Sequence, residues 1–484
     1  MDIIKISILA CVLMLTTYAS EASAKSAKES VCPIDPSWIT NPSLPQEVKK
    51  SGADGSSNFC DFYQFSNQTY LYLMSPSGDG SNRNFQVQSE FPLLEHNDDG
   101  SPANSCDPEV TGITLRSNID KSLSTDQAGG GATIYAQDGN VIYYDVRFNK
   151  PLCGLTASAV EMLDENITNF PAGTMEMKFA WKVLSQSEIA SNKFVTQNQP
   201  ISGKPVTLGL VGMHIARATK DHPEFVWATY EHKVNTPDCT PAAQQSSDWM
   251  FASKSCTQGL PASANKGNVC NFNSPKSNLS APTGTPTNIC RVYPYGTADG
   301  DLKAELNVSD ITQQNTQILA QLKQPTTSAS MKTLTNYFNV GALWASKIQL
   351  DSGGVGVPNE RGSLRLANSV AETDYQHVNI ESSGFISNCF GCHNYAGSNS
   401  PISNNITKQS LSHTFRDIKV GQGEDIDVSA SQTIMGNNYA AMICRGSSDE
   451  KGVCPKTDTY LAWNGNWTNI NPSAGSVCGC TLAK

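Results

Sequence analysis

The sequence lacks most of the short motifs that mark enzymes. No G-x-S-x-G elbow, H-E-x-x-H pair or nucleotide-binding glycine pattern occurs in its 484 residues, so a serine hydrolase, zinc protease or dinucleotide enzyme has no footing in it. Histidine is scarce, at seven residues, and neither HxxxH nor a second CxxC exists to complete a tetrahedral zinc site. Lys and Arg number 34 against 44 Asp and Glu, a net charge of −10. Nucleic-acid binding needs clustered cations, and this balance argues against it. An acidic surface keeps an exported protein soluble and suits docking to a basic redox partner. After the N-terminus no run of 18 apolar residues offers a membrane span, and no internal repeat is found.

What is present begins with a leader. Residues 1–5 form a short n-region with Lys5, residues 6–17 an apolar h-region, and Ala22-Ser23-Ala24 an A-x-A cleavage site. Ile8-Leu9-Ala10-Cys11 half resembles a lipobox, but cleavage there would leave almost no h-region. Residues 1–24 therefore read as a signal peptide. The mature chain then starts near Lys25 and is periplasmic or secreted, with no integral membrane segment. Its charge becomes −10 − (1 − 2) = −9, since Lys5, Asp2 and Glu21 leave.

The most informative feature is Cys389-Phe390-Gly391-Cys392-His393. In a CxxCH pentapeptide two thiols add to the two vinyl groups of one porphyrin, and the next imidazole ligates its iron. At these Cys and His frequencies the pattern arises by chance in roughly one such chain in 150. A zinc knuckle or a redox-active CxxC disulfide are the competing readings. The first lacks further ligands; the second belongs after a strand in a βαβ unit, whereas both flanks here read as loops. Covalent haem c is expected, on Cys389 and Cys392, with His393 as proximal ligand. Fifteen cysteines, less Cys11 and the haem pair, leave an even twelve, enough for six disulfides in an oxidising compartment. Cys444 with Cys454, and two of Cys256, Cys270 and Cys290, make the local loops expected first.

Along the chain, residues 25–58 read as an extended Pro-rich arm. Aromatics at helical spacing between Cys60 and Met74 predict an amphipathic helix ending before Ser75-Pro76. Asp138-Gly139 between two β-branched and aromatic runs predicts a hairpin. Residues 175–184, 206–216 and 224–232 read as strands. In the second, Val206, Leu208, Leu210, Gly212, His214 and Ala216 share one face by strict alternation. Residues 236–300 read as a disulfide-pinned loop region, and Ser309–Lys323 as a helix capped by Ser309 or Asp310. Residues 325–331 read as a turn or linker.

Two further groups invite chemistry. The sixth iron ligand decides between an electron carrier and an open site, and the candidates are His413, favoured narrowly, and Met435, with Met442 behind them. Each has a plainer reading, as a surface or capping histidine and as core methionines. Glu176, His214 and Glu231, with Lys178 and His232 nearby, are weak candidates for an acid–base or metal site on neighbouring strands. A structural polar network is the alternative. Glu231 and His232 have opposite parity and should point apart.

The segments Cys60-Asp61-Phe62-Tyr63-Gln64-Phe65, residues 170–181 (FPAGTMEMKFAW), Val211-Gly212-Met213-His214-Ile215, residues 225–232 (FVWATYEH), Leu366-Ala367-Asn368-Ser369 and the CxxCH itself carry a resemblance. The chain resembles large bacterial exported proteins described only as monohaem cytochrome c family proteins, in scattered segments from about 60 to 415. The resemblance implies one covalent haem and no particular reaction. The expected architecture is α+β and disulfide-stabilised. A β-rich domain spans 59–300, a helix and linker 301–329, and a mainly helical or loop haem segment 330–484. The expected function is electron transfer with an unidentified redox partner, protein or small molecule. The alternatives are a haem-dependent oxidoreductase with its substrate site in the β-rich domain, and a secreted binding protein with structural haem. Whether the chain is an enzyme stays open.

Overall fold

A computed structural model of the chain describes residues 31–91, 132–153, 168–240, 248–258, 270–277, 283–345, 360–373, 388–393, 411–412, 460–471 and 475–482, less 79, 81, 88, 202, 203 and 275. For 460–471 and 475–482 it is the backbone that is described. The chain divides into a leading unit, Met1–Val31, and a second, Cys32–Lys484, to which everything below belongs.

The second unit is α+β. Its principal sheet has seven strands: β1 (Ile142–Phe148), β2 (Met175–Val183), β3 (Thr196–Ile201), β4 (Lys204–Arg217), β5 (Val226–His232), β6 (Tyr337–Ala345) and β7 (Glu360–Gly362). Their order is β1-β2-β4-β5-β6-β7, with β3 on the first half of β4, and every pairing is antiparallel. β2 shows why the sequence makes strands here. Met175, Met177, Phe179 and Trp181 alternate with Glu176, Lys178, Ala180 and Lys182, so one face is wholly apolar and the other mixed. The strands expected at 175–184, 206–216 and 224–232 are all present within a few residues. The Asp138-Gly139 turn closes as expected, with Gly139 at φ +81° and Tyr135 bridging Val141. Its first arm, Ala132–Thr133, pairs with Lys276–Ser277 instead of with β1.

One face of the sheet packs on helix α1 (Phe59–Met74), which ends before Pro76 as expected. Asn58 and Asp61 form a reciprocal capping box at its start, the Asn58 side chain accepting from Asp61 N–H and the Asp61 carboxylate from Asn58 N–H. Phe62 stacks on Trp344 at 4.1 Å and Tyr70 on Tyr230 at 3.9 Å, which fixes α1 across the sheet. Helix α2 (Ala304–Leu322) begins more than a turn before the expected Ser309 or Asp310 cap, at Lys303 in the left-handed region. Ala304, Glu305 and Leu306 are good helix formers and carry it through the cap-type residues.

The principal sheet runs across the division expected near residue 330. Strands β6 and β7 lie in the stretch assigned to a separate haem segment, yet they belong to the same sheet as β1–β5. Tyr460–Asn471 and Gly475–Leu482 also pair, as an antiparallel hairpin. The Cys-rich region is pinned as expected. Cys256 pairs with Cys270, while Cys290 pairs with Cys239 and Cys32 with Cys60. Cys444 and Cys454 lie outside the described residues.

Candidate functional site

The face of the sheet opposite α1 carries the chemistry. Cross-strand register lays it out in three rows. The first is Phe148–Glu176–Ala216–Trp227–Leu343. The second is Val146–Lys178–His214–Thr229–Gly341. The third is Tyr144–Ala180–Gly212–Glu231–Phe338.

His214 reaches this face through a β-bulge that strict alternation does not foresee. Ala180 pairs with Gly212 but Trp181 with Leu210, so Val211 is an extra residue in β4. Leu208 and Leu210 therefore pack in one core with Met213 and Ile215. Gly212, His214 and Ala216 turn to the other side. The expected single face of Val206 to Ala216 is thus split at Val211, and the split brings His214 beside Lys178.

Over the first row lies the pentapeptide. Cys389–His393 forms a short helix, α3, which puts positions 389 and 392 on one side of a turn. Asn388, just before it, donates from Nδ2 to Glu360 Oε2 (2.7 Å) and to Leu364 O (2.8 Å), tying the turn to edge strand β7. Phe390 is buried with Phe148, Leu343 and Leu366 and meets the Trp227 ring edge-on at 6.0 Å. His393 is buried, its ring centroid 4.4 Å from that of Trp227, and its Nδ1 lies 3.1 Å from the Leu411 carbonyl. A carbonyl only accepts, so this partner assigns the proton to Nδ1 and the lone pair to Nε2. Trp227 is itself anchored, donating from Nε1 to Glu224 O at 3.2 Å. The preceding Phe225 sits at φ +70°, a strained conformation for a bulky residue that persists only where its surroundings over-determine it.

Each strand-borne candidate has a partner. Glu176 accepts a 2.8 Å hydrogen bond from Ser412 Oγ and lies 3.7 Å from Lys178 Nζ, its neighbour on the same face as expected. His214 Nε2 is 2.8 Å from Glu372 Oε1, close enough for an ion pair but off the line of a hydrogen bond. Glu231 is fully buried and held by three hydrogen bonds. It accepts from Arg291 Nη2 (2.6 Å), Ser369 Oγ (2.7 Å) and Ser369 N–H (2.7 Å). Burial alone would lower the Arg291 guanidinium, but the Glu231 and Asp238 carboxylates outweigh it and push it above its ordinary value. Asn368 closes the face, donating to Thr229 Oγ1 and to Tyr230 O. His232 points away from Glu231, as parity required. It stacks on Phe194, and burial lowers its pKa to about 4.

The face therefore gathers Glu176, Lys178, His214 and Glu231, but as three separately partnered contacts. Among the described residues no group of three or more His, Cys, Asp and Glu has the arrangement of a metal site. His413 and Met435 lie outside the described residues. Sequence reasoning missed Leu411, Ser412, Glu372 and Arg291 as members of the site. Only Leu411-Ser412 carried a signal, its place beside His413. No family model, curated protein or solved structure matches the chain.

Proposed function

We propose that this chain is an exported monohaem c-type cytochrome that carries electrons between partners. Cys389 and Cys392 would hold the porphyrin through thioethers, and His393 would ligate its iron. When bound, the group supplies one-electron exchange at iron. The observation that carries the reading is the hydrogen bond from His393 Nδ1 to the Leu411 carbonyl. Histidines that ligate metals through Nε2 characteristically donate the other N–H to a carbonyl or carboxylate, which fixes the tautomer and the ring plane. Here Trp227 also packs against the ring, so the nitrogen intended for metal is held in one orientation.

Three described disulfides support an oxidising compartment, the setting in which c-type haem is attached. Among the described residues no helix is long and apolar enough to cross a membrane. Glu231 is taken up in a structural network, held by Arg291 and twice by Ser369, which supports the electron carrier over the oxidoreductase.

For the sixth position we propose His413, with Met435 as its rival; both lie outside the described residues. Carbon monoxide added to the reduced, matured protein tests the choice. Wild type and Met435→Ala should show no spectral change, whereas His413→Ala should bind the gas; the reverse pattern would give the position to Met435. A CO shift in wild type would instead indicate an open iron and favour the enzyme.

A further inference from the structure

We infer that Glu176 is a positioning residue for His393, acting through Ser412 and the Leu411 carbonyl. The inference rests on the haem reading above and concerns a residue far from the pentapeptide in sequence. It begins with the first cross-strand row. Glu176 and Trp227 flank Ala216 in that row, Ala216 being its smallest side chain. The two larger side chains hold the two ends of one contact, His393 and the Leu411-Ser412 pair. Trp227 packs against the His393 ring, and Glu176 accepts from Ser412 Oγ at 2.8 Å. Ser412 follows the residue whose carbonyl takes the His393 Nδ1 proton.

The carboxylate is placed for this task. Glu176 is 4% exposed and Ser412 fully buried, so their hydrogen bond is shielded from competing water. Lys178, 3.7 Å away and a quarter exposed, balances the charge without a hydrogen bond of its own to it. Among the described residues Ser412 is the one hydrogen-bond donor to Glu176. A buried carboxylate is costly unless bonded, so Glu176 and Ser412 hold one another. The sheet, the most regular part of the fold, thereby fixes residues 411–412. They in turn fix the tautomer and tilt of the imidazole. Donation from Nδ1 to a carbonyl raises the electron density at Nε2, and a more basic ligand favours ferric over ferrous iron. Loosening Leu411 should therefore raise the reduction potential.

The test uses the full-length, matured holoprotein and three variants of the contact, Glu176→Ala, Ser412→Ala and Glu176→Gln. Glu372→Gln, on the same face but outside this chain of contacts, controls for general damage. Haem content, melting temperature, reduction potential and solvent exchange of the His393 Nδ1 proton are read together. Glu176→Ala and Ser412→Ala should keep their haem, shift the potential to more positive values and speed the exchange about tenfold, the protection given by one hydrogen bond. Glu176→Gln retains an acceptor for Ser412 and should stay close to wild type. An unchanged potential and exchange in haem-loaded Glu176→Ala and Ser412→Ala would overturn the inference, as would equal changes in Glu372→Gln. A wild-type chain without haem would instead fail the reading of the previous subsection. The same exchange measurement on that haem-free chain still decides whether Glu176 fixes His393.

Discussion

His232 shows how a single buried side chain makes stability depend on pH. Its Nε2 lies 3.2 Å from the Lys193 carbonyl and its Nδ1 3.4 Å from Val234 N–H, so both nitrogens are matched only in the neutral ring. Burial, the largest cause, takes its pKa from 6.5 to about 4. Between those values the unfolded chain binds the proton and the folded chain does not. Stability from this group is thus present above pH 6.5 and lost as pH falls towards 4, by up to ~3 kcal/mol. Denaturant midpoints of wild type and His232→Phe, compared from pH 7 to 4.5, check the sign. The variant should lose less stability than wild type on acidification, and parallel profiles would contradict the assignment. Glu176 stands at the same scale. The sequence singled it out among possible acid–base groups, and the fold makes it the anchor of Ser412. Its importance was legible; its role was not, because the role depends on a partner 236 residues away.

At the scale of elements, β2, β4 and β5 were readable because each is a run of seven or more residues rich in apolar, β-branched and aromatic side chains. What alternation could not foresee is the bulge at Val211, which costs no change in composition and moves every later side chain of β4 to the opposite face. His214 owes its place beside Lys178 to that one residue. Gly212, next to the bulge, is needed for a steric reason. A Cβ there would lie 2.8 Å from Asn368 Oδ1 and 3.0 Å from Val370 Cγ2, inside the segment that covers the third row. Gly212→Ala should displace Asn368 from Thr229 and Tyr230 and destabilise the fold by about 1–3 kcal/mol. An unchanged urea midpoint would show that this cover is softer than its hydrogen bonds imply. The starts of α2 and β6 were less legible. Cap-type residues inside α2 mimic a beginning, and β6 is recognised as sheet only once β5 lies beside it.

For the whole molecule, the sheet crosses the boundary that composition suggested near residue 330. Strands before and after the disulfide-pinned loops share one hydrogen-bonded framework. The pentapeptide is mounted on that framework by Phe390, Asn388 and His393. The pentapeptide was legible in five consecutive residues because the motif is local. Its mounting was not, since it depends on Trp227, Glu176 and Leu411 arriving from three separate places in the chain. On the proposed reading, this mounting would tie the iron ligand His393 to the principal sheet, which suits an electron carrier that must change oxidation state with little rearrangement.

The central claim is that Cys389, Cys392 and His393 carry one covalent haem. The most direct measurement is the reduced spectrum of the mature protein in alkaline pyridine, after denaturation and extraction of any loosely held porphyrin. The protein would be produced in a host able to attach c-type haem. A c-type pyridine spectrum at one haem per chain, lost in Cys389→Ala/Cys392→Ala, is the predicted result. A chain that keeps no porphyrin through extraction, with Cys389 and Cys392 joined as a disulfide, would contradict it.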